Sequence, residues 1–162
     1  MGGSDPDNLT GVVIDALRDI PDVEATVVVG NSNPHLGELE RTASQAGSWL
    51  RLEKSVNNMA ELMAWADVAV SGAGSTTWEM CLIQLPMALI DIADNQTPIA
   101  NALVALGAAI HLGSRQVRAK EIAKRVTSLF ASPTERIALS AKSGKLVDGL
   151  GTGRVFSELT GS

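Results

Sequence analysis

Residues 67–79 read DVAVSGAGSTTWE, and this stretch decides the fold. Asp67 leads into a short apolar run, Val68, Ala69 and Val70, which reads as a buried strand. Gly72 and Gly74 follow where the backbone has to turn tightly, and Ser75 or Thr76 is placed to cap the next helix. A strand that passes through glycines into a helix start is a place where anions bind. Unpaired amides and the positive end of the helix dipole favour phosphate, and glycine lets it approach the backbone. The same turn also serves as a plain connection, so its meaning depends on which other loops share its edge.

Downstream, Gln84 and Pro86 end the helix, and residues 87–90 form a continuous apolar run closed by Asp91, the pattern of a strand covered on both faces. Asp94, Asn95 and Gln96 make a polar loop before Thr97 and Pro98, which start a helix that carries Asn101 and ends at Gly107. Residues 108–112 read as a strand, residues 117–130 as an amphipathic helix, and Pro133 and residues 152–159 as two further helices.

Upstream, residues 25–29 are a β-branched strand ended by Gly30, followed by turn chemistry and a helix over residues 36–46. Residues 48–53 read as another strand. Asn57 or Asn58 caps the following helix, with Glu61 placed for a capping box behind Asn58. Asp5 and Pro6 look like the start of a helix with Leu9, Val12, Val13, Ala16 and Leu17 on its apolar face. The GGS of residues 2–4 has the form of a turn that follows a strand, yet no strand precedes it.

The βαβα rhythm implies an α/β fold, a Rossmann-like parallel sheet with helices on both faces, and a single domain over residues 1–162. Ligands in such folds sit outside the carboxyl ends of the strands. Four strand-to-helix loops then share one edge: residues 2–4, 56–58, 71–76 and 91–97, all rich in glycine, hydroxyl or amide side chains.

Composition narrows the partners. The chain has 162 residues, is 45% hydrophobic and carries a formal charge of -5, so it has no basic footprint for nucleic acid. Phosphate would have to be held locally, by backbone amides. Cys81 is the only cysteine, which excludes a disulfide framework. No run is long enough to cross a bilayer and no export signal is visible, so a cytoplasmic protein is expected. His35 and His111 lack metal-ligand spacing, and Asp91 and Asp94 are read as turn formers; no metal and no cofactor is expected. Trp49, Trp65 and Trp78 are read as core or interface.

Glu79 lies one turn into the helix that starts at the glycine turn. It can accept hydrogen bonds from two ribose hydroxyls, or return to the Thr76 amide as a capping box. The amides of Asn95, Gln96 and Asn101 suit a polyhydroxylated ring because they both donate and accept.

Three motifs taken together, GGSDPDN, NNMAELMAWADVAVSGAGSTTWE and DNQTPIANA, resemble the C-terminal half of the MurG-like nucleotide-sugar proteins. Within these, the chain looks most like the UDP-sugar hydrolase of pseudaminic acid biosynthesis and the related spore coat polysaccharide biosynthesis proteins. The resemblance implies one half of a GT-B fold, the half that holds the UDP part of a UDP-sugar. It implies that Val56, Asn57, Asn58 and Met59 meet the uracil, that Glu79 holds the ribose, and that Gly74, Ser75 and Thr76 carry the diphosphate with Gly3 and Ser4 beside it. Asn95, Gln96 and Asn101 would meet the sugar. The hydrolase branch keeps its catalytic histidine in an N-terminal domain, to which neither His35 nor His111 corresponds. The expected protein is therefore a binding half without its N-terminal catalytic domain and without the strand that leads into residues 2–4. Loss of that strand would leave an exposed sheet edge and favour self-association. A non-catalytic nucleotide-binding or interaction module is the alternative from another class, and a dinucleotide oxidoreductase is disfavoured because no GxGxxG follows a strand.

Overall fold

Residues 87–91 have apolar side chains at every position but the last, and a strand of that kind is stable only with other strands on both edges and helices on both faces. The computed structural model, which describes residues 5–160, arranges the chain around it. Helix and strand alternate through α1 (Leu9–Leu17), β1 (Ala25–Val29), α2 (Leu36–Ala46), β2 (Leu50–Lys54), α3 (Met59–Trp65) and β3 (Ala69–Gly72). The series continues with α4 (Thr76–Leu82), β4 (Met87–Asp91), α5 (Thr97–Ala105) and β5 (Ala109–Ser114), and closes on α6 (Ala119–Phe130), α7 (Pro133–Ser143) and α8 (Gly151–Thr160).

All strand pairs are parallel. β4 lies between β3 and β5, and β1 pairs with β2. The strand period of two divides β4 between two cores. Ala88 and Ile90 face Val13 and Leu17 of α1 and Ile122, Val126 and Leu129 of α6. Met87 and Leu89 face Met63 of α3, Met80 and Cys81 of α4, and Leu103 of α5. A third cluster joins Ile14 to Val29, Leu39 and Leu50 and so fastens the β1–β2 pair to α1 and α2. The sequence expectation of a parallel sheet covered on both faces is therefore met, with one difference. Among the described residues the strands form a two-stranded and a three-stranded sheet, with no ladder between β1 and β3.

Several boundaries shift for local reasons. α1 starts at Leu9, not at Pro6, because Asp5 acts from further back: its buried carboxylate accepts from the amides of Leu9 and Thr10 at 2.9 Å each. Asn8 takes the N-cap position in a left-handed conformation and accepts from Gly11 N. β5 runs two residues further than expected. An irregularity between Leu89 and Ile90 lets the ladder pass from His111 to Gly113, whose φ of 132° a side chain would resist. Trp65 and Trp78 are 52% and 44% exposed, so neither is core. Cys81 is buried as expected, and burial pushes its thiol pKa up. No described helix is long and apolar enough to cross a membrane.

The β4 packing has a measurable consequence. Leu89 has no solvent exposure, so Leu89→Ala is expected to lower unfolding stability by about 3 kcal/mol through lost burial and a residual cavity. Leu159→Ala, on the exposed α8, is expected to change it by less than about 0.5 kcal/mol in the same urea titration.

Candidate functional site

The turn between β3 and α4 is anchored by Thr77, not by the residues expected to cap it. Thr77 is buried, its hydroxyl donates to Gly74 O at 2.7 Å, and its amide bonds the same oxygen at 3.1 Å. Ser75 occupies the N-cap position but already has helical backbone angles, φ −57° and ψ −29°, and its side chain makes no capping bond. A capping hydroxyl needs an extended backbone to reach forward to the third amide of the helix. The Thr76–Glu79 capping box is likewise not formed, and among the described residues the exposed Glu79 carboxylate has no partner. The amides of Gly74, Ser75 and Thr76 also make no hydrogen bond with described residues. α4 has only seven residues, so anion affinity here rests on these amides more than on a helix dipole.

The loop after β4 packs onto this turn. A Cβ on Gly72 would fall 2.4 Å from Ile92 Cδ1 and 3.1 Å from Gln96 Oε1, whereas one on Gly74 would meet only Gln96 Nε2 at 3.7 Å. Neither glycine has a positive φ. The sequence reading gave both glycines to a tight turn that a phosphate can approach; in the structure Gly72 makes room for Ile92, and Gly74 leaves its backbone open. Gln96 Oε1 is buried without a hydrogen-bond partner among the described residues. The Gln96 side chain thus lies across the glycine turn and brings two of the expected loops together.

One pair at this edge was not legible beforehand. His111 Nε2 of β5 lies 3.1 Å from Asp91 Oδ2 of β4, with side chains 36% and 14% exposed. The approach is close enough for an ion pair when the imidazole is protonated but is not aligned as a hydrogen bond, and Asp91 Oδ1 has no partner either. His111, read as an ordinary packed histidine, is therefore a neighbour of the carboxyl end of β4. The shared side of two adjacent strands was readable from their alternation, but the irregular register that brings the pair together was not.

The β2–α3 loop is tied to its neighbour by Asn31 Nδ2 donating to Ser55 Oγ at 2.9 Å. Of the two candidate caps, Asn57 and Asn58, it is Asn58 that caps α3: its Oδ1 accepts from Glu61 N at 3.2 Å, and its Nδ2 donates to the Glu61 carboxylate at 2.9 Å. Asn57 is exposed, and Val56 and Met59 are half-buried. Met59 and Thr76 border the same cavity. Asn95 and Asn101 are exposed, on the β4–α5 loop and on α5. Gly3 and Ser4 lie outside the described residues. Among the described residues no three His, Cys, Asp or Glu side chains gather as metal ligands.

A parallel sheet with open amides and amide side chains at its carboxyl edge is a frame for binding an anionic, hydroxyl-rich ligand. Residues 1–149 match the model of the glycosyltransferase family 28 C-terminal domain, and the chain belongs to that family. It is 30% identical over 163 aligned positions to the spore coat polysaccharide biosynthesis protein SpsG of Bacillus subtilis (strain 168), covering 98% of this chain and 48% of that protein. It is also 30% identical over 142 positions to the UDP-N-acetylglucosamine--N-acetylmuramyl-(pentapeptide) pyrophosphoryl-undecaprenol N-acetylglucosamine transferase of Alkalilimnicola ehrlichii (strain ATCC BAA-1101 / DSM 17681 / MLHE-1), over 83% of this chain and 40% of that one. Among solved structures, Acinetobacter baumannii MurG superposes with a TM-score of 0.76 at 17% identity, over 99% of this chain and 48% of that chain. At that identity the likeness speaks for the fold, one half of a GT-B Rossmann-like architecture. The chain spans about half or less of the length of these relatives.

The two glycines separate structure from binding. Gly72→Ala is expected to destabilise the protein by about 1–3 kcal/mol, since Ile92 must move. Gly74→Ala is expected to leave the thermal midpoint nearly unchanged, and a melting curve of each variant checks both.

Proposed function

We propose that this chain binds the UDP part of a UDP-sugar and is the donor-binding half of a nucleotide-sugar hydrolase or glycosyltransferase of surface polysaccharide biosynthesis. The observation that carries this reading is the β3–α4 turn. Its three unpartnered amides, the hydroxyls of Ser75 and Thr76, the overlying Gln96 amide and the unpaired Glu79 carboxylate all lie within about two helical turns of one another in sequence or across one loop contact. The names of the relatives support it: one is a spore coat polysaccharide biosynthesis protein, another a transferase of N-acetylglucosamine from its UDP form.

In this reading Gly74, Ser75 and Thr76 hold the diphosphate, with Gly3 and Ser4 beside it. Glu79 accepts hydrogen bonds from the ribose hydroxyls, a role for which a carboxylate with no competing partner is suited. Val56, Asn57, Asn58 and Met59 meet the uracil; the Asn58 side chain is engaged as a helix cap, which leaves its backbone and Asn57 for base contacts. Asn95, Gln96 and Asn101 meet hydroxyls of the sugar. When the bond from the anomeric carbon to the diphosphate breaks, negative charge grows on the leaving UDP, and preorganised amides at that position stabilise it. The group that activates water or an acceptor hydroxyl comes from the other half of the enzyme. That half decides between hydrolysis, as in pseudaminic acid biosynthesis, and sugar transfer.

Calorimetry with UDP tests the reading. Saturable binding is expected below millimolar UDP, and Glu79→Ala is expected to weaken it about ten- to a hundredfold, the worth of hydrogen bonds to a charged group. Gly74→Ala is expected to weaken UDP binding while the fold is kept. Absence of binding at millimolar UDP, or equal affinity in the Glu79 variant, would sink the assignment.

A further inference from the structure

Ser55, the first residue after β2, stands in the left-handed region with a φ of 55°. Asp5, Asn8 and Asp22 share that region, but Asp and Asn adopt it with help from their own side chains, whereas a serine keeps it only where its surroundings fix it. The fixing contact comes from another element. Asn31 Nδ2, in the loop between β1 and α2, donates to Ser55 Oγ at 2.9 Å. Residues 55–57 make no backbone hydrogen bond with any described residue, so this side-chain bond is their hydrogen-bonded tie to the described fold.

Both ends of the segment are held. Lys54 closes the β1–β2 ladder opposite Val29, and its Nζ bonds Glu40 Oε1 of α2 at 2.6 Å. Asn58 is engaged as the cap of α3. Between those two points the backbone angles of Ser55 decide which way Val56 and Asn57 face, and a change of φ to the ordinary negative range redirects them. The loop that carries Asn31 is itself braced. Asn33 is buried, its Oδ1 accepts from His35 N at 2.8 Å, and its amide donates to Gly30 O at 3.0 Å. His35 Nε2 in turn lies 3.0 Å from Pro6 O, just before α1. Asn31 therefore reaches out from a fixed support, and its bond passes the position of that support to Ser55.

We propose that Asn31 is a positioning residue for the base-binding loop: its side-chain amide keeps Ser55 left-handed and so presents Val56 and Asn57 to the uracil. The part in binding rests on the assignment of that loop to the uracil, whereas the hold on Ser55 does not. A chain in which Ser55 relaxes spends part of its time with the loop turned away, and its apparent affinity falls with the competent fraction.

Two measurements separate the hold from its use. Backbone NMR chemical shifts of the nucleotide-free protein report the φ of Ser55, which is expected to be left-handed in the wild type and ordinary in Asn31→Ala. Calorimetry then compares UDP with CDP. Asn31→Ala and Ser55→Ala are each expected to weaken UDP binding about three- to tenfold, the worth of one hydrogen bond, and to narrow the preference for UDP over CDP. The double variant Asn31→Ala/Ser55→Ala is expected to lose no more than either alone, since both changes remove the same bond. Asn31→Ala/Ser55→Asn is expected to recover UDP affinity, because asparagine enters the left-handed region without outside help, a recovery that a role in stability alone would not produce. Unchanged Ser55 shifts in Asn31→Ala overturn the proposal. So do additive losses in the double alanine variant, or UDP affinity and base preference equal to those of a wild type that binds. A wild type that fails to bind millimolar UDP overturns the uracil assignment and the binding role with it, while the Ser55 shifts still decide the hold.

Discussion

Everything else in this molecule depends on the burial of β4. A strand with Met87, Ala88, Leu89 and Ile90 entirely out of solvent must have its amides and carbonyls bonded on both edges, since no water reaches them. That condition places β3 and β5 on either side, parallel, and the crossover helices then have to cover both faces. α4 and α5 take one face and α6 the other, with α1 lying beside α6. The carboxyl end of β4 is left beside the glycine turn, and the loop that follows it can only run across that turn.

This arrangement concentrates the polar irregularities of the described core at one edge. Asp91 Oδ1, His111 Nε2 and Gln96 Oε1 are buried without hydrogen bonds, and all three belong to β4, β5 or the loop between β4 and α5. Each such group costs on the order of 1–3 kcal/mol when it is left unpaired. The opposite, apolar part of the same sheet shows no comparable strain on its side chains. The Gln96 side chain that covers the glycine turn lies at the same edge.

The split between the two sheets belongs to the same logic. β1 and β2 are fastened to the rest by Ile14, Val29, Leu39 and Leu50 rather than by backbone pairing to β3. Side-chain packing is tolerant of small displacement, while a ladder is not. The relative position of the Asn57 loop and the glycine turn therefore rests on the packing of α1 and α3. Half of the candidate site lies on each side of that division.

The sequence by itself determined the order of elements, the parallel sheet and the edge on which the loops gather. Those follow from the period of apolar residues and from Gly, Pro and Asn at their ends, which act over a few neighbours in the chain. It also narrowed the cap of α3 to Asn57 or Asn58, of which the structure takes Asn58, and placed Cys81 in the core, again from adjacent residues. Tertiary structure alone decided that Gly72 is needed for Ile92 and not for its own dihedral angles, and that Asp91 meets His111. Both depend on a contact between elements, or on a register shift in β5, that local pattern does not encode. That Thr77 and not Ser75 ties down the glycine turn is a local matter, bonds across three residues with helical backbone angles at Ser75. The capping box at Glu79 shows the limit clearly. Its spacing fits the motif, but helical angles at Ser75 move the start of the helix, and the carboxylate is left facing solvent.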